Sequence, residues 1–138
     1  MKVLIVEPGK YPRKAEIDGS LKSMQQIVGG LIQPIYPWED RVALVCNDEG
    51  KVMGLPLNRS LEDYDMIAGT FLICGLGEED FCGLTDAQME RYEAMFKSPE
   101  LFFRTEDGVK SKPCTPAIYR LFMGDMRDRH RDEADHER

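Results

Sequence analysis

The stretch Met66–Cys74, with the sequence MIAGTFLIC, is the most apolar run in the chain and predicts the central strand of a sheet. Gly75 and Gly77 follow the run and are expected to end the strand, because glycine favours turns over extended ladders. A central strand needs a partner on each side. The fold therefore depends on which other segments can pair with this one.

Two further apolar runs are typical of strands and lie earlier in the chain. Lys2–Glu7 is rich in β-branched residues and meets the turn signal Pro8-Gly9, while Arg41–Cys46 contains the run VALVC. The turn residues that follow, Asn47–Gly50, predict a hairpin that returns antiparallel through Lys51–Met53. These segments favour strands that are joined by short turns.

Three weaker segments complete the predicted sheet region. Lys14–Asp18 alternates polar and apolar residues and is expected to pair with the first strand. Leu31–Tyr36 contains Pro34, which predicts an edge position or a bulge because proline has no N–H to donate to the ladder. Leu61–Asp65 is polar and predicts a loop or a single helical turn after Pro56.

Two segments carry the signals of amphipathic helices. Asp18 or Ser20 can cap a helix whose apolar residues recur at three- and four-residue spacing, and Gly29 follows as a stop. Thr85 and Gln88 have the spacing of a capping box, which predicts the start of a second helix. The sequence therefore places one helix between the early strands and one after the central strand.

The order of these elements is β-β-α-β-β-β-β-α, and most strands are joined by hairpins rather than by helical crossovers. This order predicts an α+β fold, with a mostly antiparallel sheet of about five or six strands and two or three helices packed on one face. The third helix is expected over Ala117–Met123. Residues 1–123 are expected to form a single α+β domain, and the charged residues 124–138 predict a C-terminal tail that is frayed or helical.

The composition restricts the class of partner. The net charge is -7 and the pI is about 4.9, whereas proteins that bind duplex nucleic acid usually present a basic surface to the phosphates. The charge therefore argues against nucleic acid as the main ligand. No apolar run approaches the roughly 20 residues of a membrane-spanning helix, so no membrane association is expected.

The cysteines and histidines do not form a metal-binding pattern. The four cysteines are Cys46, Cys74, Cys82 and Cys114, and the two histidines, in the charged tail, are His130 and His136. A structural zinc site needs four ligands, usually with two in one tight turn, and no C-x-x-C spacing occurs here. Neither a metal nor another cofactor is expected. Reduced cysteines predict a cytoplasmic location.

The segments MKVLIVEPGKYPRKAEI (1–17) and ALVCNDEGKVMGLPLNR (43–59) carry a more specific signal. The pattern V-G-G-x-I, followed by N-x-x-G-K-x-x-G-L-P-x-N-R, resembles a family of bacterial and phage proteins that is catalogued only as a domain of unknown function (family 3846). The resemblance covers about residues 1–97. It implies an origin in bacteria, their phages or mobile elements, and it implies no particular activity.

Asn58 and Arg59 follow the stiff Leu-Pro-Leu turn and form the first candidate site. An arginine held by a rigid turn can bind a carboxylate or phosphate, and the neighbouring asparagine can present both a donor and an acceptor. These residues are therefore predicted to bind a small anionic, nucleotide-like ligand. In the alternative, Asn58 caps the following turn and Arg59 pairs with Glu62 or Asp63 on the surface.

Tyr36 and Trp38 form the second candidate site. Aromatic residues beside a proline at a strand end are often partly exposed, and tryptophan is enriched at binding surfaces. These residues are therefore predicted to contact a ligand. The alternative is that they cover the open end of the core.

Two classes of function remain open. The first, which the shortage of histidine favours, is a non-enzymatic binding or interaction protein whose partner is a small ligand or a host protein. Its open strand edges also predict a homo-oligomer. The alternative is a small enzyme that uses a cysteine or a group of carboxylates such as Glu78, Glu79 and Asp80.

Overall fold

The computed structural model describes residues 1–62 and 64–124, without the side chain of Tyr64. The strands are β1 (Lys2–Val6), β2 (Arg13–Glu16), β3 (Ile32–Ile35), β4 (Val42–Asn47), β5 (Leu57–Leu61), β6 (Tyr64–Ala68), β7 (Phe71–Leu76), β8 (Phe81–Cys82), β9 (Glu100–Thr105) and β10 (Gly108–Pro113). The helices are α1 (Leu21–Val28), α2 (Asp86–Met95) and α3 (116–124). Nearly all of the predicted tail, from residue 125, lies outside the described residues. None of the described helices has the length and apolar character needed to cross a membrane.

Strand β7 lies at the centre of the main sheet, as its apolar sequence predicts. The order is β2-β1-β7-β4-β3, with β8 paired to the end of β7, and each pairing is antiparallel. The strand predicted over Met66–Cys74 is nevertheless too long. Gly69 has a φ of 81°, so the chain turns there. The residues before this turn form β6, which pairs with β5 in a separate two-stranded sheet.

The main sheet is covered by helices on both faces. On one face Leu4, Leu44 and Ile73 pack in the cluster that includes α2, and on the other Val45 and Leu72 pack with α1. The α+β class is confirmed, but the prediction that the helices share one face is wrong. Strands with apolar residues at consecutive positions expose an apolar surface on each side, and each side must be buried.

The segment between β4 and β5 differs from its predicted form. Residues 48–54 form turns instead of a returning strand, and the N–H of Met53 donates to the Glu49 carbonyl at 2.8 Å. The chain then passes Pro56 and enters β5, so Leu61–Asp65, predicted as a loop, spans the end of β5 and the start of β6. Pro56 stands just outside the ladder, where its missing N–H removes no strand hydrogen bond.

Residues after α2 form a hairpin that the sequence patterns did not predict. Strands β9 and β10 pair antiparallel, with Thr105 opposite Gly108 next to the turn. The signal that could have revealed this hairpin is Asp107-Gly108, a dipeptide typical of tight strand connections. Glu100 then ties the hairpin to β5, because its carboxylate accepts hydrogen bonds from the Ser60 hydroxyl and N–H at 2.6 and 3.1 Å.

Helix α3 packs against the turn between β1 and β2. Tyr119 lies so close to Gly9 that a Cβ built on the glycine would lie 2.1 Å from the ring. The Gly9 backbone also has a φ of 74°, which residues with a side chain adopt only with strain. Helix α3 thus contacts the turn that follows the first strand. The division into one domain and a tail stays a prediction.

Gly9→Ala is expected to destabilise the protein more than Gly54→Ala. Both glycines have a φ of 74°, so both substitutions carry a similar backbone strain of about 1–2 kcal/mol. Only the added methyl at position 9 meets the Tyr119 ring, since nothing lies within 4 Å of a Cβ at Gly54. Urea denaturation of both variants measures the difference. Equal losses of stability would show that α3 does not pack on this turn.

Candidate functional site

Asn58 and Arg59, the first candidate site, lie on β5 inside the protein. Their exposed fractions are 0% and 1%, and Arg59 is the largest fully buried side chain among the described residues. Burying a guanidinium is strongly unfavourable unless its N–H groups find acceptors. The surroundings of Arg59 must therefore supply oxygen atoms.

All five N–H groups of Arg59 have an oxygen acceptor. Nε donates to the Phe96 carbonyl at 3.3 Å, and Nη2 donates to the same oxygen at 3.1 Å and to the Lys10 carbonyl at 2.7 Å. Nη1 donates to the carbonyl and the Oδ1 of Asn58, at 3.1 and 2.8 Å. Within residues 1–62 and 64–124, no carboxylate lies within ion-pair distance of Arg59. Its N–H groups are satisfied by carbonyl and amide dipoles, and the Glu100 carboxylate adds a favourable charge from beyond ion-pair distance.

Asn58 extends these contacts to two further segments. Its Nδ2 donates to the carbonyls of Val6 and Gly69, at 2.8 and 2.9 Å. We name these interacting residues the Arg59 cluster: Val6, Lys10, Asn58, Arg59, Gly69 and Phe96. The cluster joins the end of β1, the β1–β2 turn, the β6–β7 turn and the C-terminus of α2.

The Arg59 cluster leaves no N–H of the guanidinium free for a ligand. Burial lowers the pKa of Arg59 to about 10, so the group remains charged at neutral pH. Arg59 is also not the surface residue of the alternative interpretation, because its side chain is buried. Asp63, one of the two partners named for it, lies outside the described residues. The ligand-binding role of Asn58 and Arg59 stays a prediction. Neither side chain is exposed to solvent in the structure.

Trp38, from the second candidate site, lines an open groove of about 440 Å³, which we name the Trp38 groove. The indole packs on Tyr92 with ring centroids 4.7 Å apart, and on Phe96 in an edge-to-face arrangement with ring centroids 6.0 Å apart. The other residues that line the groove are Pro37, Ser60, Leu61, Glu62, Met95, Phe96 and Glu100. Trp38 therefore covers part of the core and also faces the groove, so the two interpretations of this residue are compatible.

Tyr36 is separate from this groove. It is 52% exposed and is not among the lining residues. The structure thus brings Asn58 and Arg59 together inside the protein and places Trp38 at a groove beside Ser60, the next residue of β5. It does not bring Tyr36 to the same place. The predicted role of Tyr36 stays a prediction.

Glu100 is held in the Trp38 groove by three donors. The Ser60 hydroxyl and the Ser111 hydroxyl donate to its Oε1 at 2.6 and 3.0 Å, and the Ser60 N–H donates to its Oε2 at 3.1 Å. The carboxylate is oriented by these bonds and retains acceptor capacity on Oε2. Sequence reasoning missed Glu100, because the hairpin that carries it meets β5 only in the folded chain.

Asp40 anchors the segment that carries Trp38. Its Oδ2 accepts from the Tyr92 hydroxyl at 2.9 Å, and its Oδ1 accepts from Gln88 Nε2 at 3.2 Å and from the Arg41 N–H at 2.8 Å. Burial alone would raise the pKa of Asp40, but the hydrogen bonds from Tyr92, Gln88 and the Arg41 backbone outweigh it and lower the pKa. The indole is thereby held against α2.

The cysteines and carboxylates of the enzymatic alternative differ in their exposure. Cys46 and Cys74 are buried, and burial raises the pKa of both thiols, that of Cys74 to about 12. Glu78–Asp80 lie exposed between β7 and β8. In the part of the chain that the structure describes, no three Cys, His, Asp or Glu side chains could hold a metal ion. His130 and His136 lie outside that part.

Residues 1–97 match the family model described as a domain of unknown function (DUF3846). The match spans more than half of the 138 residues. The chain belongs to this family. No curated protein and no solved structure gives a significant match. The DUF3846 region contains the whole Arg59 cluster and Trp38, whereas Glu100 and the β9–β10 hairpin follow it.

Arg59→Ala is expected to lower the free energy of unfolding by about 3–5 kcal/mol, because it leaves buried carbonyl and amide oxygens without donors. The control is Arg41→Ala, the same change at an exposed arginine whose side chain donates one hydrogen bond, to the Gly77 carbonyl. That variant should lose less than about 1 kcal/mol. Chemical denaturation measures both. Similar small losses would contradict a structural role for the Arg59 cluster.

Asp40→Asn is expected to destabilise the protein at neutral pH and to lose this effect in acid. The pKa of Asp40 is lower in the folded than in the unfolded state. The contribution of the ionised Asp40 carboxylate to stability is therefore fully present above its pKa in the unfolded state, about 4. This contribution is lost as the pH falls through its pKa in the folded state.

Urea denaturation of the wild type and the Asp40→Asn variant, at neutral pH and near pH 3, measures this dependence. The difference in unfolding free energy between them should shrink in acid. Tyr92→Phe removes one donor to the carboxylate and should show a smaller effect in the same direction. An Asp40→Asn effect that is equally large at both pH values would mean that the substitution acts through packing.

Proposed function

We propose that this DUF3846 protein is a non-enzymatic interaction protein that binds a basic side chain of a partner protein in the Trp38 groove. The observation that carries the proposal is the presence of one indole and two carboxylates, Glu62 and Glu100, along the same groove. An aromatic face attracts a cation through the negative charge of its π-system, and carboxylates pair with ammonium and guanidinium groups. Together they favour lysine or arginine.

The charges of the groove argue against an anionic ligand. Both charged residues among the described lining residues are acidic, so an anion would meet like charges. The guanidinium of Arg59, behind Ser60 on β5, has its five N–H groups occupied by protein oxygens. The geometry therefore supports a cationic partner rather than the small anionic ligand expected from the sequence.

The shape of the groove favours a long side chain over a free metal ion or ammonium. Lysine and arginine carry a charged head on an apolar stem, and the stem gains from contact with apolar surface. Pro37 and Met95 offer such a surface, and the thioether of Met95, 46% exposed, can adapt to different stems. We place the interaction in the cytoplasm of a bacterium that carries the protein or its phage, on the basis of the family resemblance and the free cysteines.

The fluorescence of Trp38, the only tryptophan in the chain, provides the test. Short peptides rich in lysine or arginine should change the emission in a saturable way, because their side chains enter the groove. A glutamate-rich peptide of equal length and adenosine monophosphate should leave the emission unchanged. Binding should weaken with added salt, since charges contribute to it.

Matched variants distinguish binding in the Trp38 groove from nonspecific attraction of basic peptides to the acidic surface. Glu62→Gln and Glu100→Gln should each lower the affinity for the basic peptides about fivefold or more, as expected for a charge pair worth about 1 kcal/mol. Glu79→Gln makes the same change of charge on an exposed loop that does not line the groove, and should have no effect. Equal effects of Glu62→Gln and Glu79→Gln, or tighter binding of the anionic probes, would refute the proposal.

A further inference from the structure

Strand β2 forms one edge of the main sheet, and its outer side has no partner strand among the described residues. Met1 and Ile17 exchange two hydrogen bonds, from the Met1 amino group at 2.8 Å and from the Ile17 N–H at 3.0 Å. Such exchanging pairs alternate along an antiparallel ladder, so residues 13, 15 and 17 bond to β1. The backbone N–H and C=O groups of Lys14 and Glu16 therefore point outwards.

The opposite edge of the sheet, β3, is protected by a proline. The N–H of Asp48 donates to the Leu31 carbonyl at 2.8 Å, so Leu31 faces β4, and by alternation Ile32 and Pro34 point outwards. Pro34 offers no N–H to an incoming strand, which is a common protection of sheet edges. The edge position predicted from Pro34 is thus observed. Strand β2 contains no proline and can accept a further strand.

We propose that β2 pairs antiparallel with β2 of a second copy of this chain, with Lys14 opposite Glu16 of the second copy. The two-fold axis then passes beside Ala15, and the two main sheets join into one. This arrangement gives a definite form to the homo-oligomer expected from the sequence. It does not depend on the function proposed for the Trp38 groove.

One register allows both the backbone hydrogen bonds between the two strands and opposite charges across them. Hydrogen-bonded pairs must join outward-pointing residues, which within β2 are Lys14 and Glu16 of each copy. Lys14 opposite itself would place two ammonium groups together and would set Glu16 against Pro12, which has no N–H. Glu16 opposite itself would place two carboxylates together. Lys14 opposite Glu16 forms two symmetry-related pairs of opposite charge, which stabilise adjacent strands.

The surroundings of β2 agree with this pairing. The helices pack chiefly elsewhere, α2 over β1 and α1 over β3, β4 and β7. Lys14 lies opposite Leu4, so its side chain shares the α2 face of the sheet. There Lys14 and Glu16 line an open groove of about 670 Å³, and both residues are exposed. The charged pairs between copies would extend along this groove.

Charge reversal tests the register. Lys14→Glu and Glu16→Lys should each weaken self-association about tenfold or more, because each makes both cross-strand pairs like-charged. The double variant K14E/E16K restores opposite charges and should associate like the wild type. Lys22→Glu reverses a charge on exposed α1 and should have no effect. Sedimentation equilibrium over a range of concentrations measures the dissociation constant, and circular dichroism checks that each variant is folded.

A disulfide tests the position of the two-fold axis. In the proposed register Ala15 lies opposite Ala15 of the second copy at a non-hydrogen-bonded position, where Cα atoms are about 4.5 Å apart and a disulfide can form. In a chain with Cys82→Ser and Cys114→Ser, Ala15→Cys should give a covalent dimer on mild oxidation. Arg13→Cys in the same background, opposite Ile17, should not.

Any of three results would overturn the proposal. The first is a wild-type protein that stays monomeric at a concentration of hundreds of micromolar. The second is a double variant K14E/E16K that associates no better than the single variants, because the pairing of Lys14 with Glu16 would then be wrong. The third is a dimer that survives every charge reversal and does not form the Ala15→Cys disulfide, because the contact would then lie on another surface.

Discussion

A buried guanidinium whose N–H groups donate chiefly to backbone carbonyls is the constraint on which this fold depends. The charge of Arg59 is tolerated inside the protein only while the carbonyls of Lys10 and Phe96 remain in reach of its N–H groups. Phe96 caps α2, and the last carbonyls of a helix lack partners within it, so this acceptor is available. The helix dipole also favours a cation at that end. One side chain thus fixes the turn after β1 against the end of α2.

Elements that depend on contacts between near neighbours could be predicted from the sequence. The capping box of Thr85 and Gln88 forms both of its hydrogen bonds, at 3.0 and 3.1 Å, and Ser20 rather than Asp18 caps α1 by accepting from the Ser23 N–H. Contacts between near neighbours could not show that the run Met66–Cys74 is divided into β6 and β7. Its break at Gly69 is held by a hydrogen bond to the Pro56 carbonyl at 2.7 Å, which belongs to a different part of the chain.

The candidate site also could not be predicted from the sequence, because its contacts join residues that are far apart in the chain. Asn58 and Arg59 resemble the polar end of a turn, because nothing beside them in the sequence marks a buried charge. Their acceptors come from the β1–β2 turn and from the end of α2, which only the folded chain brings near β5. Trp38 was recognisable as a surface residue from its local context. The carboxylate of Glu100 that shares its groove was not, since it arrives with a hairpin beyond the family region.

The Arg59 cluster also connects the two surfaces on which the proposals rest. Lys10 precedes the exposed edge strand β2, and Phe96 lines the Trp38 groove, so both surfaces are positioned by the same guanidinium. At both places the cluster uses the backbone carbonyl and not the side chain. Substitutions at position 10 therefore leave the hydrogen bonds to Arg59 available, while they alter the charge beside β2. The polar contacts that hold these segments together are therefore separate from the charged side chain at position 10.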